Sequence, residues 1–122
     1  MRFMRFALVL MLGLSPLMAK ADVRLLMAEQ DGCYYCALWN DEIAPIYPKT
    51  AEGKAIPLQR YEINSPPGDV TLARRVNFTP TFLLVKDNVE VARIEGYPGE
   101  HFFWGLLTQM LESADINIAP KG

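Results

Sequence analysis

Two cysteines stand in this chain of 122 residues, Cys33 and Cys36, three positions apart. A bridge between them would close a loop too small to constrain the unfolded chain much, so the fold must be held by a hydrophobic core and not by a disulfide framework. The composition allows this. After the N-terminal segment, roughly a hundred residues rich in Val, Ile, Leu, Phe and Tyr remain, enough to close one core of ordinary domain size.

Residues 1–21 carry Arg2 and Arg5, then an apolar run over 6–18, then Ala19-Lys20-Ala21, with no acidic residue. That is the pattern of a secretory signal peptide, with cleavage expected after Ala21 and a single domain over 22–122. Gly13, Ser15 and Pro16 interrupt the run, which falls short of the roughly 20 residues a bilayer requires, so no stable membrane insertion is expected after cleavage. Arg2 and Arg5 are not adjacent, which argues against twin-arginine export, and no cysteine near the cleavage site would take a lipid. Loss of Arg2, Arg5 and Lys20 leaves 9 basic residues against 14 acidic ones, a formal charge of −5. Nucleic acid is a poor partner for such a chain, and Arg74-Arg75 is too short a basic run to change that.

Residues 23–28 (Val-Arg-Leu-Leu-Met-Ala) read as a buried strand, followed by the polar turn Glu29-Gln30-Asp31-Gly32. Residues 33–46 have apolar positions at Cys36, Leu38, Trp39, Ile43 and Ile46 and form a helix that Pro45 kinks or ends. Residues 56–63 make a second strand, with Pro57 tolerable only at its start. Ser65-Pro66-Pro67-Gly68 breaks the chain, and Asp69 is an N-cap candidate for a short helix through Val76. Residues 81–85 and 89–94 then pair as a hairpin across Lys86-Asp87-Asn88. Over residues 100–114, Phe103, Leu106, Leu107, Met110, Leu111 and Ala114 recur at spacings of three and four, one face of an amphipathic helix. A strand-helix-strand unit favours a parallel pair and the hairpin adds an antiparallel one. The expected fold is therefore α/β, a mixed central sheet of about four strands flanked by helices.

The chemistry sits in Cys33-Tyr34-Tyr35-Cys36. Thiol exchange needs one thiolate and a second thiol able to attack the mixed disulfide that the first one forms. At a helix N-terminus Cys33 faces unpaired backbone N–H groups, which favour the thiolate, and Cys36 lies one turn further in. A zinc site wants four ligands where only the two cysteines and His101 are available, and haem attachment needs a His where Ala37 stands. No metal or other cofactor is expected. An inert disulfide is the remaining alternative, since exported proteins keep cystines oxidised. His101 reads as a solvated or packed residue, and Trp39 and Trp104 as packing.

Thr79-Pro80-Thr81-Phe82 precedes the hairpin, Gly96 follows it and an amphipathic helix closes the chain. With the Cys-x-x-Cys after the first strand, this arrangement resembles the thioredoxin superfamily over nearly all of residues 23–114. The resemblance implies Cys33 as exposed nucleophile, Cys36 as resolving thiol and Pro80 as the superfamily's cis-proline, with the backbone of Thr79 pairing to an extended substrate segment and Tyr34 and Tyr35 shaping partner contact. The sequence departs from the pattern in three places. Tyr34-Tyr35 is neither the Gly-Pro of ordinary thioredoxins nor the Pro-His of the strong bacterial oxidant; Met27 stands where thioredoxins carry a buried Asp; and Gly32 replaces the usual Trp. The proton acceptor for Cys36 is thereby left open, with Glu29 and Glu62 as candidates. More narrowly, the Tyr-Tyr pair, Asn77-Phe78-Thr79-Pro80-Thr81 and Glu95-Gly96-Tyr97-Pro98-Gly99-Glu100 with Phe102-Phe103-Trp104 resemble the small exported thioredoxins of bacterial sulfur-oxidation clusters, the SoxS type.

What the resemblance implies is a periplasmic thiol:disulfide oxidoreductase that reduces a disulfide or modified cysteine on a partner protein. The partner would be the sulfur-carrier protein of such a system, and a thiol-reducing membrane protein would supply the electrons. A disulfide-forming oxidant and a binding module with a structural Cys33–Cys36 bridge are the competing readings.

Overall fold

The computed structural model describes residues 13–14 and 21–118; the expected signal peptide lies almost wholly outside the described residues. Four strands, β1 (Val23–Glu29), β2 (Leu58–Glu62), β3 (Thr81–Lys86) and β4 (Val89–Glu95), form one mixed sheet in the order β2-β1-β3-β4. β1 pairs in parallel with β2 and antiparallel with β3, and β3 pairs antiparallel with β4. The hairpin connection is one residue tighter than the sequence suggests, because Lys86 already pairs with Val89. Asp87 and Asn88 alone make the turn, both at positive φ (50° and 66°), as a two-residue turn matched to strand twist requires.

Among the described residues three helices accompany the sheet: α1 (Tyr34–Glu42), the short α2 (Ala51–Ala55) and α3 (Glu100–Ser113). α1 is shorter than the 33–46 span expected. Its last bonds run from the Ile43 and Ala44 N–H groups to the Trp39 carbonyl, just before Pro45, which has no N–H to continue the ladder and disfavours helical backbone in the residue ahead of it. A single 3₁₀ turn over Tyr47–Lys49 leads to α2, an element not expected from the sequence. Thr50 caps it, its Oγ1 accepting from the Gly53 N–H at 3.0 Å.

Alternation along β1 and β3 sorts their side chains onto two buried faces. Leu25, Met27, Phe82 and Leu84 join Cys36, Trp39 and Ile43 of α1 and its end with Phe103, Leu107, Met110 and Leu111 of α3. At the centre of this face, the rings of Trp39, Phe82 and Phe103 lie 5.0–5.8 Å apart in tilted and edge-on contacts. On the opposite face Leu26, Ala28, Leu83 and Val85 pack with Tyr61 and Val76, and with Ile63, Val70 and Leu72 around them.

Among the described residues no helix covers that second face, although one over 69–76 was expected. The segment is extended: Val70 and Leu72 turn inward while Thr71 and Ala73 are exposed, a period of two. Its backbone groups are also committed elsewhere. The Thr71 N–H donates to the Asn88 carbonyl at 2.8 Å and the Thr71 carbonyl accepts from the Glu90 N–H at 3.0 Å, so Thr71 bridges the edge of β4. Asp69 caps nothing and pairs instead with Arg24 at 3.0 Å.

Phe103→Ala removes the ring shared by both helices and the sheet, and is expected to destabilise the fold by about 3–5 kcal/mol in denaturant unfolding.

Candidate functional site: the dithiol end of the sheet

Strand directions bring the sequence's candidate residues to one end of the sheet. β1, β2 and β4 all finish there and β3 begins there, with Ala28 opposite both Tyr61 and Thr81, and Thr81 opposite Glu95. The turn to Cys33 leaves β1 at this end, and Thr79-Pro80 enters β3 at the same end.

That turn is closed by the Cys33 N–H donating to the Gln30 carbonyl at 3.2 Å, with Gly32 at φ 76°. A residue with a side chain rarely adopts that backbone, which accounts for a glycine where thioredoxins carry Trp. Cys33 is the N-cap of α1, and its Sγ accepts a hydrogen bond from the Cys36 N–H at 3.1 Å. An amide donor and the positive end of a helix thus face the sulfur, the arrangement that stabilises a thiolate. Cys33 and Cys36 are joined as a disulfide, Cys33 partly exposed and Cys36 buried.

The Thr79–Pro80 peptide bond is cis. Pro80 is buried and Thr79 half-buried, and the turn before them is tied by the Thr81 hydroxyl donating to the Phe78 carbonyl at 2.6 Å. The Pro80 carbonyl accepts from the Gly96 N–H at 2.7 Å, which fixes the cis-proline to the end of β4. Three aromatic side chains around this end are exposed: Tyr34 (72%) and Tyr35 (53%), in edge-on contact at 5.2 Å, and Phe78 (58%). Exposed rings thus stand on both the dithiol helix and the cis-proline loop.

Met27 is fully buried on β1 and carries no titratable group. Beside it, Arg60 donates to both carboxylate oxygens of Glu29 at 3.1 Å, approaches the Met27 sulfur at 3.6 Å and lies 5.5 Å from the Trp39 ring centre. Of the two carboxylate candidates, Glu29 lines the cleft that also holds Cys33 and Cys36, whereas Glu62 lines the neighbouring one and accepts from the Asn64 N–H at 2.8 Å. His101 is exposed; Trp39 is core and Trp104 stacks on Tyr47.

A buried ion pair on the second face anchors the chain leading to the cis-proline. In a regular strand, residues three apart face opposite sides. Between Leu84 and Val85 the β3–β4 register shifts, so that Val85 pairs with Glu90 and Leu84 with Ala92, and Val91 is the extra residue of a bulge. Glu90 and Arg93 therefore share one face and meet at 2.6–2.7 Å, both side chains almost fully buried. The Glu90 carboxylate accepts from the Ala73 N–H at 3.0 Å, and the Arg93 guanidinium donates to the carbonyls of Arg74 (2.9 Å) and Arg75 (3.3 Å). Hydrogen bonds to Glu90 raise the Arg93 pKa further. Composition revealed nothing of this, because the pairing depends on the bulge.

No protein-family model matches the chain, and no curated relative does. Among solved structures, the crystal structure of the periplasmic thioredoxin SoxS from Paracoccus pantotrophus, in its reduced form, matches with a TM-score of 0.73. It is 55% identical, over 75% of this chain and 98% of that one. The chain belongs to the thioredoxin superfamily. Thioredoxin-2 of a malaria parasite, a component of that organism's protein secretion machinery, shares the fold, at TM-score 0.53 and 22% identity over 75% of this chain and 85% of that one. Within the superfamily the chain resembles the SoxS type, and its Cys-x-x-Cys on a thioredoxin fold makes it a thiol:disulfide oxidoreductase.

Beyond the dithiol, Tyr97 ties this thioredoxin's loop after β4 to α1, its hydroxyl donating to Glu42 at 3.2 Å. Burial and then the Glu42 carboxylate push its pKa up to about 12. The unfolded chain ionises this phenol near pH 10 and the folded one near pH 12, so its contribution to stability is complete below pH 10 and lost as pH rises through 12. Tyr97→Phe is expected to flatten the alkaline fall in stability across that window, measured by denaturant unfolding at stepped pH. Glu90→Ala leaves the buried Arg93 guanidinium with only the more distant Glu95 carboxylate at 3.6 Å and is expected to cost about 3 kcal/mol by the same measurement.

Proposed function

We propose that this thioredoxin is a periplasmic reductant that transfers electrons from its Cys33/Cys36 dithiol to a disulfide or mixed disulfide on a dedicated partner protein. The partner in this reading is the sulfur-carrier protein of a sulfur-oxidation system, and a thiol-reducing membrane protein returns the electrons. The observation that carries it is the 55% identity to a periplasmic SoxS over almost all of that protein, joined to a partly exposed Cys33 at a helix N-terminus.

In the proposed cycle the Cys33 thiolate attacks one sulfur of the partner's disulfide. A new Cys33–partner bond forms and the partner's other sulfur leaves as a thiolate. The Cys36 thiol then gives up its proton and attacks Cys33 Sγ, breaking the mixed disulfide. The partner leaves fully reduced, and the protein is left with the Cys33–Cys36 disulfide. Two electrons have passed to the partner. In this reading Tyr34, Tyr35, Thr79 and Pro80 form the surface on which an extended partner segment lies, and Glu29, which lines the same cleft as Cys36, takes the Cys36 proton.

The test is reduction of insulin disulfides by the dithiol form, followed by turbidity. The parent protein is expected to be active and Cys33→Ser inactive, while Cys36→Ser stalls and accumulates a mixed disulfide visible on a non-reducing gel. A reduced protein with alkylatable Cys33 that reduces no disulfide would sink the proposal.

A further inference from the structure

Asn40 is a half-buried polar residue of α1, and its side-chain Oδ1 is buried without a hydrogen-bond donor among the described residues. A buried acceptor left unpaired costs about 1–3 kcal/mol, so a group of this kind calls for an explanation. Its place on the helix supplies one. Asn40 stands four residues after Cys36, one turn on along the same face, and helical side chains lean back over the turn toward the N-terminus. Asn40 and Cys36 line the same cleft, together with Cys33 and Glu29.

The disulfide in this structure has no hydrogen to donate. Reduction changes that. When an external dithiol reduces Cys33–Cys36, the donor's two sulfurs become its own disulfide, and two electrons and two protons pass to the protein. Cys36, being almost fully buried, then holds an S–H with little access to water. We infer that Asn40 Oδ1 is the acceptor for the Cys36 S–H in the reduced state: a redox-tuning residue, unpaired in the disulfide form and paired in the dithiol form. The inference rests on the reading of Cys33/Cys36 as a redox couple. Stabilising the reduced form makes the couple less reducing, so Asn40 eases recharging by the electron donor at some cost in driving force toward the partner.

The experiment equilibrates the mature protein, Asn40→Leu and Asn40→Ala with dithiothreitol buffers and counts free thiols by alkylation. Both substitutions remove the acceptor, and both residues are good helix formers. The equilibrium constant for reduction is expected to fall about three- to tenfold in each variant, a potential more negative by about 15–30 mV. Denaturant unfolding of both redox forms supplies the second readout: the dithiol form loses stability on substitution while the disulfide form is unchanged or gains. A merely structural role would shift both forms alike. Equal equilibrium constants in parent and variants would overturn the inference while leaving the proposed function standing. A parent protein that exchanges no electrons with dithiothreitol would overturn both.

Discussion

Pairing of β1 on both edges is the constraint on which the site depends. One strand, parallel to β2 and antiparallel to β3, decides which chain ends meet: the turn to Cys33, the end of β2 and the cis Thr79–Pro80 bond all arrive at one end of the sheet. The same pairing buries both faces of β1, from Leu25 to Ala28, so the strand is apolar throughout this stretch. The dithiol helix is thus seated by the core itself. Trp39, one turn after Cys36, locks α1 against Phe82 and Phe103 and leaves the N-terminal turn of the helix to present Cys33.

The two faces are built differently. One is closed by helices through aromatic packing; the other is closed by an extended segment whose inward residues are few and whose backbone is held by charge. The bulge at Val91 makes this possible by turning Glu90 and Arg93 to the same side, where the pair satisfies three backbone groups of residues 73–75. Such a pair adds less net stability than apolar packing of the same volume, but it is directional. It holds the chain a few residues ahead of Phe78 and Thr79 in one place, and the Gly96–Pro80 hydrogen bond holds the far side.

Much of this was legible in the sequence because it is written in periodicity and in residues with one main use. The apolar runs of β1 and β3, the stripe along α3 and the Thr-Pro entrance to the hairpin each carry a short-range signal, and Cys33, Cys36 and Pro80 fall where that signal places them. The helix expected at 69–76 fails because an N-cap residue is only a local preference. Asp69 had a stronger partner in Arg24, and alternation at Val70 and Leu72 was the better guide. Arg60 over Trp39 and the Glu90–Arg93 pair were hidden because they depend on register and on a bulge, neither of which leaves a mark in composition. Asn40 was visible in principle, since a polar residue four positions after a buried cysteine shares its helical face.

The central claim is that the Cys33/Cys36 couple works in the reducing direction, and its reduction potential tests that most directly. Equilibration against glutathione and dithiothreitol buffers with alkylation of free thiols gives the value. A reductant is expected near that of thioredoxin, about −270 mV, whereas a value near about −120 mV, that of a strong disulfide donor, would contradict the account and make the protein an oxidant of exported thiols.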